Sequence, residues 1–350
     1  MSDRLDNREY DLLRLIEVHG PIGSIRLVEQ LQRRGYSIKG RTVRLLLSEL
    51  DADGYTEKIP GKGRCLTKKG RSELRFGHVG GRLEQVRERI AVLTGQVTYN
   101  PFEDSGEIVS SAIDIPSSMV ENALNTLNAL ADLPVAPIPV AIENPPSSAQ
   151  SDDITRLFFP SSITLDGVLL SQGITTQLQV AGIVEYHPNP DSAPEQFAHE
   201  GTLSTEHGGA ILRYTDAISG EGSTVDVADL LIEAGRSSIR PLLDGDDAGL
   251  VVVDNRELPL IRYEEALDIA AAVRAQLGGV IDFRKPREEG PFPRGQPGWD
   301  FASVTFGAVG ELAISLLAEE GYSDFWISLH GLKRRSAFEP VASALAAENY

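Results

Sequence analysis

The chain has 350 residues, 41% hydrophobic and 24% charged, enough apolar content for two or three folded domains and too much for a disordered polymer. No apolar run approaches the roughly 18 residues that cross a bilayer, the start Met1-Ser2-Asp3-Arg4-Leu5-Asp6 has no apolar leader, and the single cysteine, Cys65, excludes an internal disulfide framework and a CxxC zinc site. The net charge of −18 is unevenly placed: residues 1–75 hold 16 Lys or Arg against 11 Asp or Glu, and the rest hold 17 against 40. A basic head on an acidic body is the asymmetry expected when one end meets a polyanion. With 33 basic residues against 51 acidic ones, and few of the basic ones lysine, the composition also points to a salt-rich cytoplasm. A soluble, cytoplasmic protein without a membrane span is expected.

In chain order, residues 6–75 read as three helices, a hairpin and a helix. Asp6 and Glu9 have capping-box spacing. Leu12, Leu15, Ile16 and His19 then share a face, and Gly20-Pro21 stops the helix. Ser24 opens a second helix with Ile25, Val28 and Leu31 inward. A third, from about Gly40 to Ala52, has Val43, Leu46, Leu47 and Leu50 as an apolar stripe. Its other face carries Arg41, Thr42, Arg44, Leu45 and Ser48. Arg can grip guanine in the major groove, and Thr can bond a base or a phosphate. The hairpin around Pro60-Gly61-Lys62-Gly63 has a basic tip, with Lys62 and Arg64 suited to a phosphate backbone. Cys65 reads as a small hydrophobe in the hairpin strand. The segments Gly35-Tyr36-Ser37-Ile38, Arg41-Thr42-Val43-Arg44, Glu49-Leu50 to Gly54-Tyr55 and Thr67-Lys68-Lys69-Gly70 make this block resemble the winged helix-turn-helix of archaeal repressors. One departure is Lys39, where a Ser cap is usual. The DNA-contacting set expected is Ser37, Lys39, Arg41, Thr42, Arg44, Ser48, Lys62, Arg64 and Lys68, on double-stranded DNA.

Residues 78–98 read as an amphipathic helix with Leu83, Val86, Ile90, Leu93 and Val97 on a narrow seam, a linker suited to pairing with a second copy. The body beyond it shows an internal repeat at an offset of 143: six positions, among them Pro116 and Pro259, match identically between 106–127 and 249–270. Each copy reads strand, Pro turn, helix, strand. Asn144 to Asp153 is a linker; Gly201 to Thr205 and Ser219 to Thr224 are hydroxyl-rich turns. Ile163–Leu170, Ile174–Val180, Ile183–Tyr186 and Ala210–Tyr214 read as strands, Val225–Ala234 as a helix, Arg284 to Asp300 as a Pro/Gly-rich loop, Gly307–Glu320 as a helix, and Ala337 to Glu348 as a further helix in a C-terminal tail. The expected fold is α+β: a winged helix-turn-helix at 1–75, a linker or dimerisation helix at 76–100, a mixed α/β regulatory domain at 101–325 with two repeated halves, and a tail at 326–350.

Four segments make the body resemble the archaeal global nitrogen regulator NrpR family: Thr94-Gly95-Gln96-Val97-Thr98-Tyr99-Asn100-Pro101-Phe102 with Gly106-Glu107-Ile108-Val109, Leu165-Asp166-Gly167-Val168 through Ile174 with Ala181-Gly182-Ile183-Val184-Glu185, Glu221-Gly222-Ser223-Thr224-Val225-Asp226 through Ile232, and Asn255-Arg256-Glu257-Leu258-Pro259. The resemblance implies a dimeric repressor of nitrogen-assimilation genes, released by a small effector such as 2-oxoglutarate. Two departures bear on the effector: a reduced Gly segment at Phe306-Gly307-Ala308-Val309, and an Arg- and Glu-rich loop after Arg284. A dicarboxylate needs cationic or amide contacts in a cleft. Arg256, Arg262, Arg240 and Arg213 lie nearest strand ends, yet among so many carboxylates an inward Arg favours an ion pair. Arg256 ranks first because it lies in a family-like segment, with Asn255, Ser237 and Ser238 after it.

No catalytic or metal set is expected. The histidines at 19, 78, 187, 199, 207 and 330 lack paired-ligand spacing, and no GxGxxG, Walker loop or GxSxG occurs. No cofactor beyond the effector is expected. On the residues alone two other classes stay open: a small-molecule enzyme with an accessory winged helix, and an effector-independent DNA-binding or protein-docking module.

Overall fold

The computed structural model describes residues 5–76, 79–144, 153–189, 209–219, 224–307, 309–323 and 325–348. Two compact units divide the chain, Met1–Gln85 and Val86–Tyr350. The linker at 144–153, the hydroxyl-rich turns, and His78, His199 and His207 lie wholly or largely outside the described residues.

The first unit is built as α1 (Asn7–His19), α2 (Ser24–Arg33), α3 (Gly40–Ala52), the hairpin β1 (Thr56–Ile59) and β2 (Gly63–Leu66), and α4 (Lys68–Phe76). The capping box at α1 forms: the Asp6 carboxylate accepts from the backbone N–H of Arg8 and Glu9, and Glu9 accepts from that of Asp6. Leu12, Leu15, Ile16, Leu31, Val43, Leu47 and Leu50 close the core. His19 and Ile25 point outward instead of inward. Leu27 and Leu31, one turn apart, hold the buried face of α2 and leave Ile25 on the far side. Ile22 exchanges backbone hydrogen bonds with Arg64 and adds a third strand-like segment to the wing.

α5 (Val79–Thr94) carries the chain into the second unit. Leu93 and Val97 are buried and Val86 and Ile90 half-buried against the body's own core. Arg89 donates to the carbonyls of Leu329 and His330, at 2.8 and 2.7 Å. The linker expected at 76–100 is therefore corrected. From Val86 onward it is part of the body, and Val86, Ile90, Leu93 and Val97 of the seam drawn for pairing with a second copy pack within the chain.

The body continues with β3 (Glu107–Pro116), α6 (Val120–Asn128), β4 (Pro139–Glu143), β5 (Ile154–Pro160), α7 (Ile163–Ser171), β6 (Gln177–His187), β7 (Ala210–Ser219), α8 (Thr224–Glu233) and α9 (Arg240–Leu243). Then come β8 (Gly249–Pro259), α10 (Tyr263–Leu277), β9 (Val280–Arg284), β10 (Phe301–Phe306), α11 (Val309–Glu319), β11 (Trp326–Arg334), β12 (Glu339–Pro340) and α12 (Val341–Glu348). The strands form two antiparallel five-stranded sheets, ordered β11-β3-β5-β4-β12 and β7-β6-β8-β10-β9.

The repeat is present in three dimensions. β3 and β8 both end on a proline, run into a 3-10 turn (Ser117–Met119, Leu260–Arg262) and then a helix, at one constant offset. Each half goes on through two strands and a helix to a last strand, β6 or β11. That last strand does not stay home. β6 pairs with β8 of the second half, and β11 pairs with β3 of the first. The two apolar cores are shared in the same way: one contains α6 and α11, the other α7 and α10.

Two expectations are overturned. Residues 163–170, read as a strand, form α7; Ile163 to Leu169 are buried all round, so no apolar period marks the helix. The stretch 326–350 is not a tail. Its β11 lies beside β3, and α12 packs on α6. The expected strands 174–180 and 183–186 merge into the continuous β6. Among the described residues no helix is long and apolar enough to cross a membrane.

Candidate functional site

α3 presents its polar face as expected. Ser37, Lys39, Arg41, Thr42, Arg44 and Ser48 are all exposed or half-buried, with Leu45, 60% exposed, among them. Lys39 takes the extended backbone of an N-cap without a side-chain cap bond, so the helix starts at Gly40 despite the missing Ser. Among the described residues no hydrogen bond or ion pair engages the cationic groups of Lys39, Arg41, Arg44 or Lys62. Four cations with free hydrogen-bonding capacity thus lie on the helix and at the wing tip. Ser48 is less free, since its hydroxyl donates to the Arg44 carbonyl at 3.0 Å.

Arg64 is engaged within the head itself. Its Nε donates to both Asp51 oxygens, at 3.1 and 2.8 Å, and fastens β2 to the last turn of α3. Asp51 also accepts from the Thr56 hydroxyl. Arg64 therefore braces the wing, and Lys62 is the cation free at its tip. Lys68 is exposed at the start of α4, whereas Lys69 is held by the Asp53 carbonyl at 2.6 Å and by the Tyr55 ring.

In the body, each arginine singled out from the sequence has an acidic partner. Arg213 pairs with Glu185, Arg240 with Asp244 and Glu320, Arg262 with Glu265, and Arg256 with Asp166. Neighbours on β8, Asn255 and Arg256 face opposite ways. The Asn255 amide donates to Ser303 and Thr305 at 2.8 and 3.0 Å. Arg256, fully buried, donates from Nε to Asp166 Oδ1 and Oδ2 at 2.7 and 2.8 Å. Ser237 and Ser238 join neither group: Ser237 bonds Ser315, and Ser238 pairs its backbone with Leu250 near the start of β8. The loop after Arg284 borders a surface cavity of about 440 Å³ lined by Leu260, Lys285, Pro286, Arg287, Glu288 and Trp299. There Arg287 bonds Gln296 and Pro297 and so holds the loop to itself.

Sequence reasoning missed what surrounds Arg256. Asp254 lies 3.7 Å from its Nη2, and Ser162 donates to Asp254 at 2.7 Å. Thr176 donates to Asp166 at 2.6 Å. Glu311, in the first turn of α11, is buried with both carboxylate oxygens unpartnered. Burial first, and Asp254 second, push its carboxyl up to about 8, and burial also raises Asp254. The one signal available was that Asp166 and Glu311 each interrupt an otherwise apolar helical run.

Comparisons with known proteins agree with both units. Residues 83–290 match the family model of NrpR regulatory domains NRD1 and 2, and residues 5–74 match the ribonuclease R winged-helix domain. The chain is 25% identical over 268 residues to the global nitrogen regulator NrpRI of Methanosarcina mazei, covering 75% of this chain and 76% of that protein. It is 24% identical over 260 residues to the global nitrogen regulator NrpR of Methanococcus maripaludis, covering 72% of this chain and 41% of that protein. Among solved structures, a nitrogen repressor-like protein from Methanococcus jannaschii shares the fold, with a TM-score of 0.51 and 15% identity over 73% of this chain and 98% of its own. Since a single family model spans more than half of its length, the chain belongs to the NrpR regulatory-domain family.

Proposed function

We propose that this chain is a DNA-binding transcriptional regulator of nitrogen-assimilation genes, a repressor released by a small effector such as 2-oxoglutarate. The relatives are named global nitrogen regulators. The observation that carries the reading is the unpaired cationic face of α3, on a chain whose body is strongly acidic. Arg41 and Thr42 enter the major groove, and Lys62 follows the phosphates. Two copies present two heads to one two-fold operator, which raises avidity.

The test is to sequence the genomic DNA that the purified protein retains, with and without 2-oxoglutarate. Enrichment of nitrogen-assimilation promoters that fades with the ligand is expected; random retention would refute the reading. On a recovered operator, Arg41→Ala and Arg44→Ala each weaken binding by about 1–3 kcal/mol for every base the arginine reads, as followed by fluorescence anisotropy. Operator binding unaffected by both changes would show that α3 is not the reading helix.

A further inference from the structure

The two halves allow a direct comparison of equivalent places. At the constant offset between β3 and β8, Asp254 stands where the first half has Ser111, and Arg256 where it has Ile113. α7 and α11 align on the glycines that end them, Gly173 and Gly321, each with positive φ and each followed by the same backbone hydrogen bond to the helix. In that alignment Asp166 matches Ile314, and Glu311 matches Ile163. Four charged residues around one crossing of helix and strand are thus Ser or Ile around the other. The fold closes without them.

Burying charges costs free energy that apolar residues of similar size would avoid. A charged centre that the architecture does not need is a candidate for function. Its hydrogen bonding is also incomplete. Arg256 is 0% exposed and has no hydrogen-bond partner at Nη1 or Nη2; nor do Asp254 Oδ1, Glu311 Oε1 and Oε2, or Ser161 Oγ. Buried polar atoms in native proteins are seldom left so. The first turn of α11 reaches the start of α7 here: a Cβ on Gly310 would stand 2.7 Å from the Pro160 carbonyl, next to Ser161. The start of α11 and the segment that leads into α7 thus lie together, and Ser162 just before α7 bonds Asp254 beside Arg256, so positive helix-dipole ends border the centre.

We infer that this centre, between the two halves of the body, binds the carboxylate of a small organic acid. Arg256 Nη1 and Nη2 and the Ser161 hydroxyl donate to it, and Glu311 donates as the neutral acid. Asp166 and Asp254 hold the guanidinium in place. Together with the two helix N-termini, one guanidinium balances those two carboxylates, so a third anion enters only while Glu311 keeps its proton. Asp229 of α8 is the other acid acting on Glu311, and it is engaged by Trp326 and Ser328. The inference rests on the reading of the chain as an effector-controlled regulator and locates that control.

The full chain is titrated calorimetrically with acetate, succinate and 2-oxoglutarate. Heat of binding is expected from at least one, with affinity falling up to about tenfold per pH unit above the Glu311 value of about 8. Glu311→Gln, a permanent donor, keeps the binding and loses that pH dependence. A triple exchange that copies the other half, Asp166→Ile with Asp254→Ser and Arg256→Ile, keeps cooperative unfolding and operator binding and loses the heat. Undiminished heat in the triple variant overturns the site. So does an unchanged pH profile in Glu311→Gln, which decides the matter even where the triple variant does not fold. Wild-type protein that binds its operator but none of the three acids also refutes the site and leaves the DNA-binding reading standing. Absence of operator binding would count against that reading instead.

Discussion

Two basic residues of the wing, with only Gly63 between them, sit in different surroundings. Arg64 is half-buried on Asp51, and Lys62 is free. Lys62→Ala should leave the melting temperature of the head unchanged and reduce the slope of log affinity against log salt by about one. Arg64→Ala should instead lower head stability by about 1 kcal/mol, with Asp51 left short of a partner, and shift the salt slope less. Thermal unfolding beside anisotropy titrations checks both; the opposite assignment would put Arg64 on the phosphates. From sequence the two were indistinguishable, because what divides them is an ion pair with Asp51 across the wing. Arg256 shows the same thing: a family-like segment marked it, but its partners Asp166 and Asp254 come from α7 and its own strand.

Among the elements, β11 departs furthest from expectation. Its residues 326–334 alternate weakly, because the pairing with β3 shifts register between Ile327 and Gly331 and breaks the two-residue period. Deleting residues 326–350 should prevent the body from folding cooperatively, where loss of a mere tail would cost little; circular dichroism melts of the truncated chain decide. His330 on this strand packs edge-on to Phe158 at 4.9 Å. Burial, then Arg156, Lys333 and Arg89, lower its pKa to about 4. The unfolded chain therefore binds more protons than the folded one between about 6.5 and 4, and stability must fall as pH drops through that window. The slope contributed is at most about 1.4 kcal/mol per pH unit. Replacing His330 with Gln should flatten that part of the denaturation profile. Helices with one apolar stripe, such as α1 and α3, were legible because their period is visible. α7 was not, because burial on every side erases the period.

Over the whole molecule, the charge division seen in composition coincides with the division into units. The 51 acidic residues belong mostly to the body. We propose that this surface suits concentrated salt: raising KCl from about 0.1 to 2 M should raise the body's melting temperature as self-repulsion is screened. A fall would refute it. The same salt weakens DNA contacts, so operator affinity and body stability should move in opposite directions.

The exchange of β6 and β11 has a further consequence. Neither half is a self-sufficient object. Made as a separate polypeptide, either would lack a strand for its own sheet and carry a spare one with nowhere to lie. Such a fragment could complete itself only by embracing another like it, so the arrangement is that of a handshake between twins whose wrists have been joined by a single covalent tether. Cutting the tether should leave the grip intact; withholding one hand should leave a half that folds only by gripping its own copy.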